Sequence, residues 1–179
     1  IGHGDSDIPD EDKAYTIPQM IEDLHTVIYH MVGDRYYLMG YSMGARIALS
    51  YALEHESEIK GLILESGSVG IASDDERAER RKADEDLAVR IEDHDGAWFA
   101  TRWAEAPIFE SQKQLSECVE ELIYLRRSNN STYALACTLR GSGQGVMPYV
   151  GDKLEKFSVE GLYVSGALDT KYTTIGRDV

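Results

Sequence analysis

A serine set between two glycines is the feature of this sequence that most plainly could do chemistry. The run GYSMG at residues 40–44 fits G-x-S-x-G, the pattern of a nucleophile elbow. In an elbow the serine occupies a strained turn between a strand and a helix, and its small neighbours let the two elements pack closely. The backbone N–H of Met43 could then donate to an oxyanion at the helix N-terminus. The motif predicts that Ser42 is a catalytic serine, against the simpler reading of a glycine-rich turn.

A catalytic serine needs an acid and a histidine, and behind such an elbow the acid follows a later strand with the histidine after it. Asp169 lies just past the apolar run at residues 161–166 and fits the acid, although an ordinary surface aspartate would look the same. The histidines all precede it, and we interpret each as structural or solvated: His3, His25, His30, His55 and His94. We therefore expect the catalytic histidine beyond Val179 and an upstream oxyanion loop before Ile1.

The elements around these residues indicate an α/β fold with a parallel sheet. Apolar residues recur with helical spacing over residues 15–32, and a largely apolar helix is predicted after Ser42. Short continuous apolar runs at residues 36–39, 61–66 and 161–166 predict buried strands. Open sheets of this kind place their sites beyond the carboxyl ends of the strands. We therefore expect the strands side by side, with the serine and the acid at one edge.

Between residues 67 and 160 the strand pattern disappears, and charged helical stretches take over. This change predicts three parts of the chain. Residues 1–66 are the first part of the sheet core and carry the elbow, residues 67–160 are a helical cap over the sheet, and residues 161–179 return to the core with the acid.

Composition narrows the class of partners. The 179 residues carry a net charge of −14 with 42% hydrophobic residues, which argues against nucleic acid and against anionic membrane surfaces. No apolar run approaches the ~18 residues of a membrane-spanning helix. The two cysteines, Cys118 and Cys137, form no metal or redox motif, and we expect free thiols in a reducing, cytoplasmic setting. The oligomeric state is left open.

Arginines stand out in a chain this acidic. Arg46 follows the elbow in a largely apolar helix, and further arginines recur in the predicted cap at positions 80, 81, 126 and 127. Planar guanidinium groups suit bidentate binding of carboxylates, so the set favours a small anionic substrate. The alternative for the cap arginines is that they are solvated charges on helix faces.

Several segments together resemble one family. They are GHGDSD, GYSMGARIAL, LILESGSVG, RAERR, RRSNNS, RGSGQGVMP and SGALDTKY. In this order they resemble 2-succinyl-6-hydroxy-2,4-cyclohexadiene-1-carboxylate synthase, an α/β-hydrolase-fold enzyme of menaquinone biosynthesis, over nearly the whole chain. The resemblance implies a carbon–oxygen lyase that eliminates pyruvate from a polycarboxylate, with the triad serine as a base and with no metal or cofactor.

The resemblance also implies roles for individual residues. The expected catalytic residues are Ser42 and Asp169, and the expected substrate-binding residues are Tyr41, Met43, Arg46, Arg80, Trp103 and Arg127. Arg126 adjoins Arg127, so the arginine of the family could correspond to either of these two residues. Ala45 stands where the family often has a third glycine, and residues 66–70 lack a proline common in that loop.

Two other functions remain open at this point. A serine hydrolase acting on esters or carbon–carbon bonds would share the elbow, and it would be favoured by an apolar pocket without arginines. A non-catalytic binding protein would explain the missing histidine. We expect instead a chain incomplete at both ends, and therefore inactive by itself.

Overall fold

The computed structural model of the protein describes residues 1–178, which form two compact units. One unit joins Ile1–Thr16 to Arg77–Val146, and the other joins Ile17–Glu76 to the segment that starts at Met147. The strands are β1 (Tyr36–Tyr41), β2 (Ile59–Glu65) and β3 (Gly161–Val164). The α-helices are α1 (Ile17–Met31), α2 (Met43–Glu54), α3 (Asp74–Glu92), α4 (Gly96–Ala104), α5 (Glu117–Ser128), α6 (Thr132–Ser142), α7 (Gly151–Leu154) and α8 (Thr170–Asp178).

The sheet unit contains the three strands in the order β1-β2-β3, all parallel. The predicted α/β class and the side-by-side arrangement of the strands are therefore confirmed. The register places Tyr41 of β1, Glu65 of β2 and Val164 of β3 in one row at the carboxyl edge.

The covered face of the sheet packs on α1 and α2. Ile17, Ile21 and Ile28 are the buried positions of α1, which is the stripe that its helical spacing predicts. They share one core cluster with apolar residues of α2 and with Leu62 and Leu64 of β2. Burial of this stripe, rather than helix propensity, is what stabilises α1.

The opposite face of the sheet differs from the prediction of strands buried on both sides. Side chains alternate across a strand, and on this face Tyr37, Met39 and Tyr41 of β1 are exposed together with Leu162 and Val164 of β3. The alternation is hidden in the sequence because both faces carry apolar residues. Continuous apolarity therefore predicted the strands correctly but not the exposure of this face.

The other unit is helical. Ile91 of α3, Phe99 of α4 and Leu135 of α6 form one buried cluster, and Tyr15 packs with Ala134 and Cys137 in another. The helical character predicted for this part of the chain is thus observed, although residues 1–16 pack with it and residues 147–160 belong to the sheet unit. The division of the chain into three parts, in which residues 67–160 form a cap, stays a prediction.

Two simpler expectations concern the whole described chain. Both cysteines are free thiols, with Cys118 exposed and Cys137 buried. None of the helices described has the combination of length and apolarity that crossing a lipid bilayer requires.

Candidate active site

Ser42 occupies the turn between β1 and α2 in a conformation that few non-glycine residues adopt. Its backbone has φ 52° and ψ −112°. The turn is held from both sides, because the Ser42 N–H donates to the Glu65 carbonyl at 2.8 Å and the Ser42 carbonyl accepts from the Arg46 N–H at 3.3 Å. Strained backbone of this kind persists only where the surroundings enforce it, and it recurs at catalytic positions. The strand–turn–helix context that an elbow requires is present.

The glycine before the serine lets the helix approach the strand. A Cβ at Gly40 would lie 2.3 Å from the Gly44 carbonyl oxygen and 2.6 Å from the Ala45 Cα, closer than real atoms come. Behind Ala45, a Cβ at Gly67 would lie 2.7 Å from the Ala45 Cβ. Ala45 is buried, so glycine at position 67 makes room for the Ala45 methyl group.

Asp169 lies in the loop after β3 and caps the next helix. Its Oδ1 accepts a hydrogen bond from the Tyr172 N–H at 3.0 Å, three residues into α8, and its own N–H donates to the Gly166 carbonyl at 2.9 Å. This is N-cap geometry, which aspartate favours. The pKa of Tyr163 is raised to about 12, first by burial and then by electrostatic interaction with Tyr172 and Asp169. The capping bond fixes one carboxylate oxygen and therefore the orientation of the whole group.

Ser42 and Asp169 extend from the same edge of the sheet. Ser42 follows Tyr41 in the last row of the register, and Asp169 follows Val164 of the same row by five residues. Two interstrand spacings, about 10 Å in all, separate β1 from β3. A gap of this order leaves room for an imidazole ring between the two side chains. The predicted common edge is confirmed, while the catalytic roles stay predictions.

The cap at Asp169 gives a direct stability prediction. Asp169→Ala should lower the free energy of unfolding by about 0.5–2 kcal/mol, because α8 loses the acceptor for its N-terminal N–H groups. Asp169→Asn is the matched control and should stay within about 0.5 kcal/mol of the parent, since asparagine caps equally well. Urea denaturation of the three proteins measures the difference. Equal stabilities for the alanine and asparagine variants would contradict the capping role.

Two histidines of the sheet unit, His25 and His55, lie away from the serine. His25 and His55 stack on each other with ring centroids 4.2 Å apart, beside Glu58. Tyr36, the first residue of β1, also bonds Glu58, whereas Ser42 follows the last residue of that strand. The strand's length, about 20 Å for six residues, therefore separates this group from the elbow. Neither histidine can take the proton of Ser42.

Glu58 is the charged centre of that distant group. Burial pushes the pKa of Glu58 upward, but hydrogen bonds from His55 and Tyr36 and the nearby imidazoles outweigh it, so that the net pKa is lowered. Burial, followed by the hydrogen bond with Tyr51, raises the pKa of Tyr36. The carboxylate is therefore ionised and the phenol protonated at neutral pH.

Of the three residues predicted to bind substrate near the elbow, Arg46 is the most constrained. Only 8% of its surface is exposed, and its Nη1 lies 3.9 Å from the Met147 sulfur. Burying a guanidinium is costly unless polar groups replace the lost water. The burial of Arg46, one turn into α2, therefore distinguishes it from an ordinary solvated arginine. Tyr41 is 59% exposed, on the open face of the sheet, and Met43 is half-buried at the start of α2.

Arg80 forms an ion pair within the helical unit. Its Nε donates to Asp84 Oδ1 at 2.7 Å and its Nη1 to Gln144 Oε1 at 3.4 Å. Asp84 is buried, and its Oδ2 also accepts from the Gly145 N–H. Asp84 was not predicted from the sequence, although an arginine and an aspartate four residues apart on a helix are a recognised pairing. Arg80 is thus held by a carboxylate of the protein, which orients its guanidinium.

Arg127 and Trp103 contact the same aromatic ring. The Arg127 Cζ lies 4.4 Å from the centre of Phe109, and the Trp103 ring lies 6.0 Å from it. Arg127 Nη2 also donates to Gln112 Oε1 at 3.1 Å. Arg127 is half-buried whereas Arg126 is exposed, which supports the register that assigns the role to Arg127. Phe109 is a residue that sequence reasoning did not single out.

A second strained serine was also missed. Ser66 follows β2 with φ 49°, and its N–H donates to the Val164 carbonyl at 2.9 Å. It therefore lies at the same edge as Ser42, one strand over. No short motif marks it in the sequence, because only the register shows that it ends the central strand.

Comparison with known proteins agrees with this geometry. The family model for the alpha/beta hydrolase fold matches residues 1–157. A protein of Bacillus subtilis (strain 168), which provisionally carries the name 2-succinyl-6-hydroxy-2,4-cyclohexadiene-1-carboxylate synthase, is 32% identical over 179 residues, or 100% of this chain and 65% of that protein. The synthase of that name from Pectobacterium atrosepticum is 31% identical over 143 residues, or 79% of this chain and 55% of that protein.

Solved structures agree with the comparison of sequences. MenH from S. aureus superposes with a TM-score of 0.93 at 30% identity, covering 99% of this chain and 66% of that one. An esterase from Thermogutta terrifontis, with a TM-score of 0.82 at 22% identity, shows the shared fold alone. The resemblance predicted from sequence is confirmed. The chain spans about 65% of the length of the first of these relatives.

Proposed function

The chain belongs to the α/β-hydrolase fold family, and from that premise we propose that it forms the catalytic scaffold of a carbon–oxygen lyase of menaquinone biosynthesis. The reaction eliminates pyruvate from a polycarboxylate cyclohexene intermediate and yields 2-succinyl-6-hydroxy-2,4-cyclohexadiene-1-carboxylate. The observation that carries the proposal is the strained elbow of Ser42 at the sheet edge shared with Asp169, in a chain whose similar proteins are named for this synthase. A cytoplasmic location is part of the proposal.

In the proposed mechanism Ser42 is the base. A histidine takes the hydroxyl proton, and the alkoxide then removes a proton from a substrate carbon. The electrons of that C–H bond form a new C=C bond, and the carbon–oxygen bond to the three-carbon unit breaks with its electron pair kept on the oxygen. The departing enolate then takes up a proton on carbon and becomes pyruvate. Negative charge that develops on the substrate is stabilised by the Met43 N–H at the start of α2.

Asp169 holds and stabilises the histidine rather than reaching the serine. The N-cap bond to Tyr172 engages Oδ1, so the carboxylate is oriented before the histidine binds to it. Asp169→Asn should then lower kcat by about 10⁴-fold while leaving the cap of α8 intact.

Recognition of the polycarboxylate is assigned to the arginines. Arg46, Arg80 and Arg127 are each proposed to bind a carboxylate, and Trp103, Tyr41 and Met43 are proposed to contact the substrate as well. The burial of Arg46 and the fixed orientation of Arg80 and Arg127 support this, because preorganised guanidinium groups lose little freedom on binding.

The adjacent arginines of α5 allow a matched test of this assignment. Arg127→Ala should raise KM for the polycarboxylate by about 10–100-fold, since a charge-assisted pair contributes roughly 1.5–3 kcal/mol. Arg126→Ala removes an exposed charge one residue away and should change KM less than about twofold. Steady-state kinetics on the complete enzyme measures both. Equal effects would show that both arginines contribute only through their general charge. A larger effect for Arg126 would assign the substrate-binding role to Arg126 instead of Arg127.

The function itself is tested by comparing two reactions. Pyruvate release from the polycarboxylate is measured beside hydrolysis of a neutral p-nitrophenyl ester, on this 179-residue chain and on the complete reading frame. We expect pyruvate release by the complete enzyme, little ester cleavage, and only background rates for the chain alone. Ester cleavage without pyruvate release would establish a serine hydrolase instead, and turnover by the chain alone would disprove the need for a further histidine.

A further inference from the structure

We propose that His25, His55 and Glu58 form a binding site for a late first-row divalent ion such as Zn²⁺. The site lies at the amino end of the strands, where Glu58 directly precedes β2 and Tyr36 begins β1. It is therefore at the opposite end of the sheet from Ser42 and is independent of the proposed reaction.

The ligand set has the composition that such ions prefer. Each of the three side chains offers one ligand atom, and these atoms all lie within 4.8 Å of one another. Two imidazoles and one carboxylate suit Zn²⁺, Ni²⁺ and Cu²⁺, whereas Mg²⁺ and Ca²⁺ prefer oxygen ligands alone. With three protein ligands, a tetrahedral ion would keep its fourth position for water.

The three ligands come from three elements whose positions are fixed by the core. His25 lies in the middle of α1, His55 directly follows α2, and Glu58 ends the turn Glu56–Glu58 before β2. Because α1, α2 and β2 share one buried cluster, the backbone positions of the ligands are set before any ion binds. Preorganisation of this kind lowers the cost of binding.

The side chains already converge on the carboxylate. The Nδ1 atom of His55 lies 3.3 Å from Glu58 Oε1, and the Nδ1 atom of His25 lies 3.7 Å from Glu58 Oε2. Both imidazoles thus turn the same nitrogen toward one carboxylate. A tetrahedral ion with bonds of about 2.0–2.1 Å needs its ligand atoms roughly 3.4 Å apart, so atoms that lie within 4.8 Å of one another must approach by at most about 1.4 Å.

Opening the ring stack supplies that movement. The two imidazoles lie nearly parallel, with 14° between their planes, and parallel rings cannot direct both lone pairs at one point. His25 has a side-chain exposure of 37% and can rotate without disturbing the core. Its stacking on His55 is then exchanged for two metal–nitrogen bonds.

Two tyrosines orient the ligating carboxylate. The Tyr36 hydroxyl lies 3.2 Å and the Tyr51 hydroxyl 3.3 Å from Glu58 Oε2. Tyr51 also lies 3.1 Å from His25 Nδ1, a contact that the ion would replace. Hydrogen bonds to a ligating carboxylate fix its rotamer, and such partners strengthen metal binding. This supporting network is what separates the group from a chance pairing of exposed charges.

The experiment titrates the metal-free chain with ZnCl₂ by calorimetry and follows its thermal unfolding. One ion should bind per chain, and at 100-fold excess over Kd it should raise Tm by roughly 5–10 °C. His25→Gln and His55→Gln should each weaken binding at least about 100-fold, because losing even a group that only orients a ligand costs 10–100-fold. His30→Gln, an exposed histidine of α1 outside the group, is the matched control and should bind like the parent.

A Co²⁺ spectrum of the parent chain locates the ion without any substitution. Intense visible bands without a thiolate charge-transfer band indicate a tetrahedral site of nitrogen and oxygen ligands. A thiolate band that disappears in Cys118→Ser would place the ion at that exposed cysteine and overturn the proposal. Absence of binding, or equal affinity in the parent and the His25→Gln and His55→Gln variants, would overturn it as well.

Discussion

Replacing the elbow serine, Ser42→Ala, is expected to lower kcat for pyruvate release by about 10⁴-fold or more in the complete enzyme. The alkoxide that would take the substrate proton can no longer form, and triad members act as a unit, so that losing one removes most of their joint contribution. The arginines are untouched, and KM should therefore change little. The free energy of unfolding should stay within about 0.5 kcal/mol of that of the parent, because alanine and serine are similarly strained by the positive φ at this position.

Ser50→Ala is the control for this substitution. Ser50 lies in the same helix, is buried, and its hydroxyl finds no hydrogen-bond partner among the described residues. The identical chemical change there should leave kcat unaltered. If Ser42→Ala kept more than about a tenth of the parent activity, the serine would not be the base, and catalysis would have to be assigned to another group.

The second large effect is expected for a substitution at Gly40, the residue that lets β1 and α2 approach each other beside Ser42. Gly40→Ala should lower the free energy of unfolding by about 3 kcal/mol or more, because the new Cβ would meet the backbone of α2 at 2.3 Å from the Gly44 oxygen. Backbone cannot move aside as a flexible side chain can. Either α2 shifts away from β1 or the elbow opens, and both misplace the Ser42 hydroxyl.

Gly44→Ala is the matched change four residues later. A Cβ there meets nothing within 4 Å, and alanine favours a helix over glycine by up to ~1 kcal/mol. Stability should therefore stay equal or rise slightly. Urea denaturation of both variants measures the contrast. A Gly40→Ala protein as stable as the Gly44→Ala protein would show that the close approach of strand and helix is not required.

The elements near the elbow could be predicted because their signals are local. The stripe of Ile17, Ile21 and Ile28 repeats with the helical period, and the motif that starts at Gly40 places a glycine where β1 and α2 approach each other most closely. Such patterns depend on the backbone within one or two elements. Asp169 followed from the same reasoning, because an acid after a later parallel strand must emerge at the same edge as the elbow.

By itself the sequence determined the α/β class, the position of the elbow and the family that the chain resembles. Only the tertiary structure decided which side chains meet. Arg80 is held by Asp84, Arg127 and Trp103 share Phe109, and His25 and His55 converge on Glu58. The physical reason is that periodicity reports which face of one element is buried, whereas a side chain's partner depends on how elements distant in the chain pack together.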